Sequence, residues 1–406
     1  MSTVVPVPAT VEDGWPAVAV REFDAAADLA AVERLERACE VGPSSGKLCL
    51  FTDLLGDPLC RVRHSPAYLM LVAEAPAGGD IVGVVRGCVK TVACGRFCSS
   101  SAAAYLLGLR VAPAHRRRGV GRGLVARMED WFRQAGAHYA YVATDRDNEP
   151  CFRAPSVLVH PVFRHDLANH PPHPAIAVLR VPPRDAERLY RARFSGVEFF
   201  PTDIDAVLAN PLSLGTFLAV PAAAAAAEWR GADAFLAAPP ASWAVASVWN
   251  CKDACGARRG CGALSRAPRA ADRALSRLRI LRVPSVPNLF EPFGMHFLYG
   301  LGGDGPAAPA MARALCRHAH DLARRAGARV VATELAESDP IISGVPHWPR
   351  LGAQDLWCIK RLADGYGDGA LGDWTRRRPA TPSSSTPGSF SCYLARRRFV
   401  DQLVDS

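Results

Sequence analysis

The chain has 406 residues, 49% hydrophobic and 21% charged, which excludes a disordered polypeptide and leaves room for two domains with separate cores. Its formal net charge of +9 invites an acidic partner, but lysine is confined to Lys47, Lys90, Lys252 and Lys360, and the other cations are arginines set among abundant alanines. No apolar stretch reaches the ~20 residues that span a bilayer, and Glu12 and Asp13 stand where a leader would be basic and then apolar, so an intracellular protein, nuclear or cytoplasmic and with no membrane contact, is expected.

The 13 cysteines are odd in number and scattered. Cys251, Cys255 and Cys261 come closest to a metal cluster, but no second Cys or His pair completes a tetrahedral set, so reduced thiols and no metal are expected.

In chain order, residues 1–15 read as a loose N-terminus and AVAVREF (17–23) as a strand. DAAADLAAVERLERACE (24–40) is a helix, with Asp24 as N-cap and Leu29, Val32, Leu35 and Cys39 at helical spacing. GPSSG (42–46) breaks the pattern, and strands at 67–75 and 80–93 follow, joined by a turn at 76–79. A strand at 102–111 then leads into AHRRRGVGRGLVARMEDWF (114–132). The helix there, about 122–135, carries Leu124, Val125, Met128, Trp131 and Phe132 on one face and stops at Gly136; a strand at 138–145 closes the series.

The second half repeats this order. A strand at 175–182 precedes a helix at 184–194, strands at 215–221 and 242–250 form a pair, and FGMHFLYGLGGDGP (293–306) takes a strand into a second glycine turn. A helix at 307–327, ending at a glycine, and a strand at 328–334 complete the copy. The fold expected is a mixed, mostly antiparallel α/β sheet flanked by helices, in tandem with a degenerate second copy. The units are 16–170 and 171–372, before a Pro/Ser/Arg-rich tail at 373–406.

Arg116-x-x-Gly119-x-Gly121 lies between a strand and a helix start. The first turn of a helix has N–H groups without internal acceptors and a partial positive charge, and glycines let an anion approach the backbone. A pyrophosphate fits there, with Arg116, Arg118 and Arg122 to neutralise it. A dinucleotide fold would need G-x-G-x-x-G within a βαβ crossover, and neighbouring strands precede this turn instead.

LGLRVAPAHRRRGVGRGL, with DNE after the next strand, resembles the acetyl-CoA site of the GNAT N-acetyltransferase superfamily. CRVRHSPAYLMLVAE, FFPTDIDAVL, SWAVASVWNCKD, FEPFGMHFLYG and DLWCIKRL resemble the plant Hookless-type N-acetyltransferases, which are linked to hormone-controlled growth; the likeness covers about residues 17–374. The resemblance implies that strand 105–111 splays from its neighbour and pairs with the pantetheine arm of acetyl-CoA near Leu109 and Val111. It also implies that the amides of Arg118, Gly119, Val120, Gly121 and Arg122 hold the pyrophosphate and that Asn148 opens a helix supporting the cofactor. An acceptor amine, on a protein or a small molecule, would attack the thioester directly, with an oxyanion held by a backbone N–H and a side chain protonating the thiolate.

The match breaks after Asn148. Only Glu149, Pro150 and Cys151 precede Phe152, where the family helix would take about three turns. Either the sequence as read lacks residues, or this member has lost the helix and with it catalytic competence. No catalytic acid or base is therefore assigned. Tyr141 reads as core packing, Glu74 as a solvated strand end and His115 as a surface residue, with Cys151 a nearby substitute.

In the second glycine turn, Gly300 to Gly305, Asp304 stands where a phosphate would sit, and no arginine precedes it. His318 and His320, two apart, do not share a helical face. Two functions follow: an acetyl-CoA-dependent N-acetyltransferase, or a non-catalytic regulator on the same fold. Direct nucleic-acid binding by the arginine clusters at 116–118, 376–378 and 396–398 is disfavoured by the lack of interleaved aromatic residues. The two tail clusters also suit nuclear import.

Overall fold

The structure, a computed structural model, describes residues 18–39, 49–53, 57–76, 79–93, 100–145, 152–161, 173–194, 199–225, 229–251, 256–260, 293–335, 339–347 and 353–363. The first half contains β1 (Ala19–Glu22), α1 (Ala25–Ala38), β2 (Cys49–Asp53), β3 (Ala67–Glu74), β4 (Ile81–Ala93), β5 (Ser100–Val111), α2 (Val120–Gln134), β6 (Tyr139–Asp145) and β7 (Phe152–Pro161). The second contains β8 (Ile176–Val181), α3 (Pro183–Phe194), α4 (Ile204–Leu208), β9 (Ser213–Pro221), α5 (Ala222–Ala225), α6 (Ala232–Ala237) and β10 (Trp243–Asn250). After these come β11 (Gly256–Gly260), β12 (Phe293–Asp304), α7 (Ala308–Arg325), β13 (Val330–Leu335) and β14 (Ala353–Arg361).

Local chemistry sets the helices as the sequence indicates. The Asp24 carboxylate accepts the Ala26 N–H and caps α1, whose Val32 and Leu35 are buried. Arg21 of β1 grips Asp28 of α1 through two hydrogen bonds, 2.7 and 2.8 Å, which hold the Asp28 carboxyl below its ordinary range, and its Nε reaches Glu74 at the end of β3. Helix α2 buries Val120, Leu124, Val125, Met128 and Phe132. It begins at Val120 rather than near 122, because Gly119 at φ 77° takes the N-cap position.

The sheet runs β1-β3-β4-β5-β6-β14-β7-β13-β12-β10-β9-β8, with β2 and β11 paired to each other and joined to it through β12. Among the described strands only β5–β6 and β12–β13 are parallel. This order reads the same from both ends. Strands β8, β9, β10, β12 and β13 repeat β1, β3, β4, β5 and β6, and the repeat is centred between β14 and β7. The closing strands are exchanged. β7, from the first half, pairs with β13, and β14, from the second half, pairs with β6 over Asp355↔Asp145 to Arg361↔Tyr139. The boundary expected near residue 170 lies outside the described residues, and the sheet does not divide there. Sequence patterning missed both exchanged strands, because DLWCIKRL and FRAPSVLVHP lack clean two-residue alternation.

Side chains reinforce the exchange. Lys360 of β14 places its Nζ 2.7 Å from both carboxylate oxygens of Glu129 on α2, a carboxylate that Arg133 also meets at 3.3 Å. The segment after α3 adds to the same join: Phe199 N–H donates to Ala93 O, and Ala93 N–H to Phe200 O.

A chain ending at residue 347 lacks β14 and leaves β6 and β7 without the partner between them. Its expected behaviour is loss of the cooperative unfolding transition in both halves, followed by circular dichroism in urea. A fully cooperative first half in that truncation would contradict the exchange.

Candidate active site

β5 pairs with β6 only from Ala103↔Tyr139 to Leu106↔Val142, although both strands continue. Beyond that point Leu107–Val111 and Ala143–Asp145 part. Ala112 N–H donates to Val82 O on β4, so by alternation the backbone groups of Leu109 and Val111 face away from β4 and into the gap. The Val111 carbonyl accepts Cys39 Sγ at 3.2 Å and Arg116 Nε at 3.3 Å, and the Leu109 carbonyl accepts Arg110 Nη1 at 2.9 Å. Burial pushes the Cys39 thiol up, against the pull of Arg116. These contacts occupy the carbonyls while the N–H groups of the same residues point into the gap.

At the top of the gap, residues 112–119 form a loop that turns through Pro113–His115 and enters α2. No side chain caps α2, and its first backbone hydrogen bond runs from Gly123 N–H to Gly119 O at 2.9 Å. The amides of Val120, Gly121 and Arg122 therefore belong to the turn without internal acceptors. A Cβ at Gly119 would meet nothing within 4 Å, so the space before the helix is open. Arg116, Arg118 and Arg122 are exposed around it. Leu109 and Val111 thus sit on β5 beyond the point where the strands part, and Arg116, Arg118, Gly119, Val120, Gly121 and Arg122 in the loop and first helical turn that follow, whereas Asn148 and Cys151 lie outside the described residues.

The bottom of the gap is set by a bulge. The β4–β5 register shifts between Val84↔Arg110 and Arg86↔Leu107, and Gly108 inside the shift has φ 63°. Sequence reasoning missed what lies beneath it. Arg86, 2% exposed, donates from Nε to Pro58 O and from Nη1 to Glu36 Oε1 at 2.9 Å and Gly108 O at 3.4 Å. A lone arginine in the valine-rich run IVGVVRGCV was the available signal.

The side chains weighed as acid or base do not converge there. Tyr141 is 1% exposed and stacks on Tyr105 at 4.7 Å, and burial pushes its hydroxyl well above the usual range. Glu74 is tied to Arg21 at 2.8 Å. His115 sits in the turn before α2 with Nδ1 buried and no partner among the described residues.

The second copy repeats the frame but not the openings. β12 and β13 also part, after Leu298↔Thr333, and β10–β12 carries the same bulge, with Gly300 at φ 60°. The glycines expected to form a turn instead continue β12 to Asp304, because Gly302 and Gly303 still pair with β10. Only residues 305–307 then lead into α7; the N–H of Ala307, its N-cap residue, donates to Ser242 Oγ at 3.0 Å, and Asp304 pairs with Arg193 at 3.3 Å. Beneath the bulge stands Tyr190, whose hydroxyl meets Ser247 Oγ at 3.0 Å and Tyr299 O at 3.3 Å. His318 lies against Phe217, the rings tilted by 52° with centroids 4.3 Å apart, and Cys255 and Cys261 lie outside the described residues.

The Acetyltransferase (GNAT) family matches residues 32–153. Two Arabidopsis thaliana proteins, named "Probable N-acetyltransferase HLS1" and "Probable N-acetyltransferase HLS1-like", are each 49% identical to this chain, over 91% and 92% of it and 99% of their own lengths. "Acetyl transferase GW6a" of Oryza sativa subsp. japonica is 38% identical over 89% of this chain and 94% of that protein. The first match is 407 residues long while drawing on 91% of this chain, so that relative has residues with no counterpart here. Among solved structures, N-myristoyltransferase of Saccharomyces cerevisiae with bound myristoyl-CoA shares the fold, with a TM-score of 0.52 over 87% of this chain and 80% of that one, at 11% identity.

The two bulge glycines make unequal demands. A Cβ at Gly108 would stand 2.7 Å from Arg86 Nη1, the end of a long side chain, whereas one at Gly300 would run into the buried Tyr190 ring. Gly108→Ala is expected to cost about 1–2 kcal/mol from its positive φ, and Gly300→Ala about 2–4 kcal/mol with the added overpacking. Urea unfolding of the two variants measures this, and the reverse order would refute the packing described.

Proposed function

Because the chain belongs to the GNAT acetyltransferase family, we propose that it binds acetyl-CoA along the gap between β5 and β6 and transfers the acetyl group to an amine. The observation that carries this reading is the uncapped first turn of α2, open in front of Gly119 and ringed by Arg116, Arg118 and Arg122. The amides of Val120, Gly121 and Arg122 would hold the pyrophosphate, and the N–H groups of Leu109 and Val111 would pair with the pantetheine arm. Acetyl-CoA supplies the activated carbonyl. The residues of β5 orient it and offer a backbone donor beside the Gly108 bulge for charge that develops on its oxygen. Resemblance to the Hookless-type proteins supports a role in growth control. No helix among the described residues is long and apolar enough to cross a membrane.

A second reading, a non-catalytic regulator that keeps CoA binding, is favoured by one feature. Residues 146–151 are all that join β6 to β7, whereas the corresponding connection in the second copy spans 336–352 and includes the turn Pro340–Gly344. The residues that the Arabidopsis relative has in excess are compatible with a segment missing here. A transcript that is longer across codons 143–156 would favour the enzyme, and a confirmed short one the regulator.

Calorimetric titration of the purified protein with CoA tests the site. Wild type is expected to bind, and Gly121→Val to bind at least about tenfold more weakly, because a branched side chain blocks the backbone approach. Equal affinities would exclude this corner as the pyrophosphate site. An acetyl-transfer screen on histone and small-amine acceptors then separates enzyme from regulator.

A further inference from the structure

We propose that Arg86 selects the acceptor, its unpaired guanidinium nitrogen receiving a carboxylate carried by the amine that is acetylated. This rests on the acetyl-transfer reading above and names its substrate class.

Arg86 rises from β4 on the face that carries α1, beside the bulge where the strands part. Three of its contacts are fixed: Pro58 O, Glu36 Oε1 and Gly108 O. Its Nη2 is buried without a hydrogen-bond partner among the described residues. A buried donor left unpaired is unfavourable, the more so when it is part of a cation. One carboxylate serves two guanidiniums, since Arg110 Nε lies 3.7 Å from Glu36 Oε2. Positive charge therefore exceeds negative around the bulge, and an incoming anion would satisfy both the orphan nitrogen and the excess.

The second copy supplies the internal control. Register places Ser247 against Tyr299 as Arg86 stands against Leu107. There Tyr190 fills the space under the bulge, and a neutral group of Tyr190, Ser247 and Thr216 closes on itself, with Thr216 Oγ1 2.7 Å from Ser247 Oγ. The fold thus completes this bulge without a charge. The copy that keeps the open helix start is also the copy that keeps a buried cation, an arrangement that marks a functional site more than a structural one. A guanidinium edge matches the planar oxygens of a carboxylate. Amines with an adjacent carboxylate, such as free amino acids, fit it, and polycationic amines are repelled.

The test compares glycine, glutamate and phenylalanine with their α-amides, and with spermidine, as acetyl acceptors at saturating acetyl-CoA. The acids are expected to show KM values about tenfold or more below those of the amides. Arg86→Gln should erase that preference by raising KM for the acids alone, and Arg86→Lys should restore part of it. Equal KM values for acid and amide in the wild type would overturn the proposal. So would a uniform fall in kcat across all acceptors in Arg86→Gln, which would place the cation on the departing thiolate. If no acceptor turns over, binding of the N-acetylated acids and amides to the CoA complex decides instead, and failure of the acids to bind better is equally fatal. CoA calorimetry on each variant reports folding and keeps the two readings apart: loss of CoA binding in the wild type removes both, whereas CoA binding without acid preference removes only this one.

Discussion

The gap beside β5 exists because β6 is held from its other edge. A strand that left its parallel neighbour after four residue pairs would ordinarily fray, since its N–H and C=O groups would lose their partners. Here β14 pairs with β6 along its whole length, and Lys360 ties that strand to Glu129 on α2. The strand that opens the gap and the helix that crowns it are thus anchored by one element from the far end of the chain. The uncapped helix start, the inward-facing amides of β5 and the bulge at Gly108 all depend on this support.

The same frame is built twice, and the copies differ at the corner where the ligand site is proposed. Both copies part their parallel strands and bend them at a glycine with positive φ. The first then spends residues 112–119 on a loop before its helix, and the second passes through only 305–307, where Gly305 is pressed against Ala241 and Ser242. Under the bulge the first has a guanidinium and the second a tyrosine ring. Tyr190 is stacked near Phe194, at 5.6 Å, and Tyr299, at 6.0 Å, so the second site is filled by core. Burial holds both tyrosine hydroxyls above their usual range, which suits packing rather than proton transfer.

Much of this was legible in the residues. Asp24, the α2 stripe and Gly136 announce their helices, and the alternation of strand, helix and glycine turn in both halves announces the duplication. The loop and helix start proposed as the cradle were readable because their signal is local: an arginine cluster, small residues and an amphipathic run in consecutive positions. The exchanged strands were not, since pairing between residues 145 and 355 leaves no trace in either segment alone. Arg86 was missed for the same reason: its importance comes from Glu36, Pro58 and Gly108, which only the fold assembles. The glycines of 300–305 misled for a physical reason. They are small because Tyr190, Phe194 and the β10 backbone press against them, and a sequence cannot distinguish room left for a ligand from room taken by a neighbour.

The exchange of closing strands also governs how the protein is made. β6 leaves the ribosome about two hundred residues before β14, an interval of roughly ten to forty seconds at ordinary synthesis rates. Throughout it the nascent first half presents an uncovered strand edge, the feature most prone to pairing with a stranger. The topology therefore demands that the β6 edge be shielded until β14 has been made.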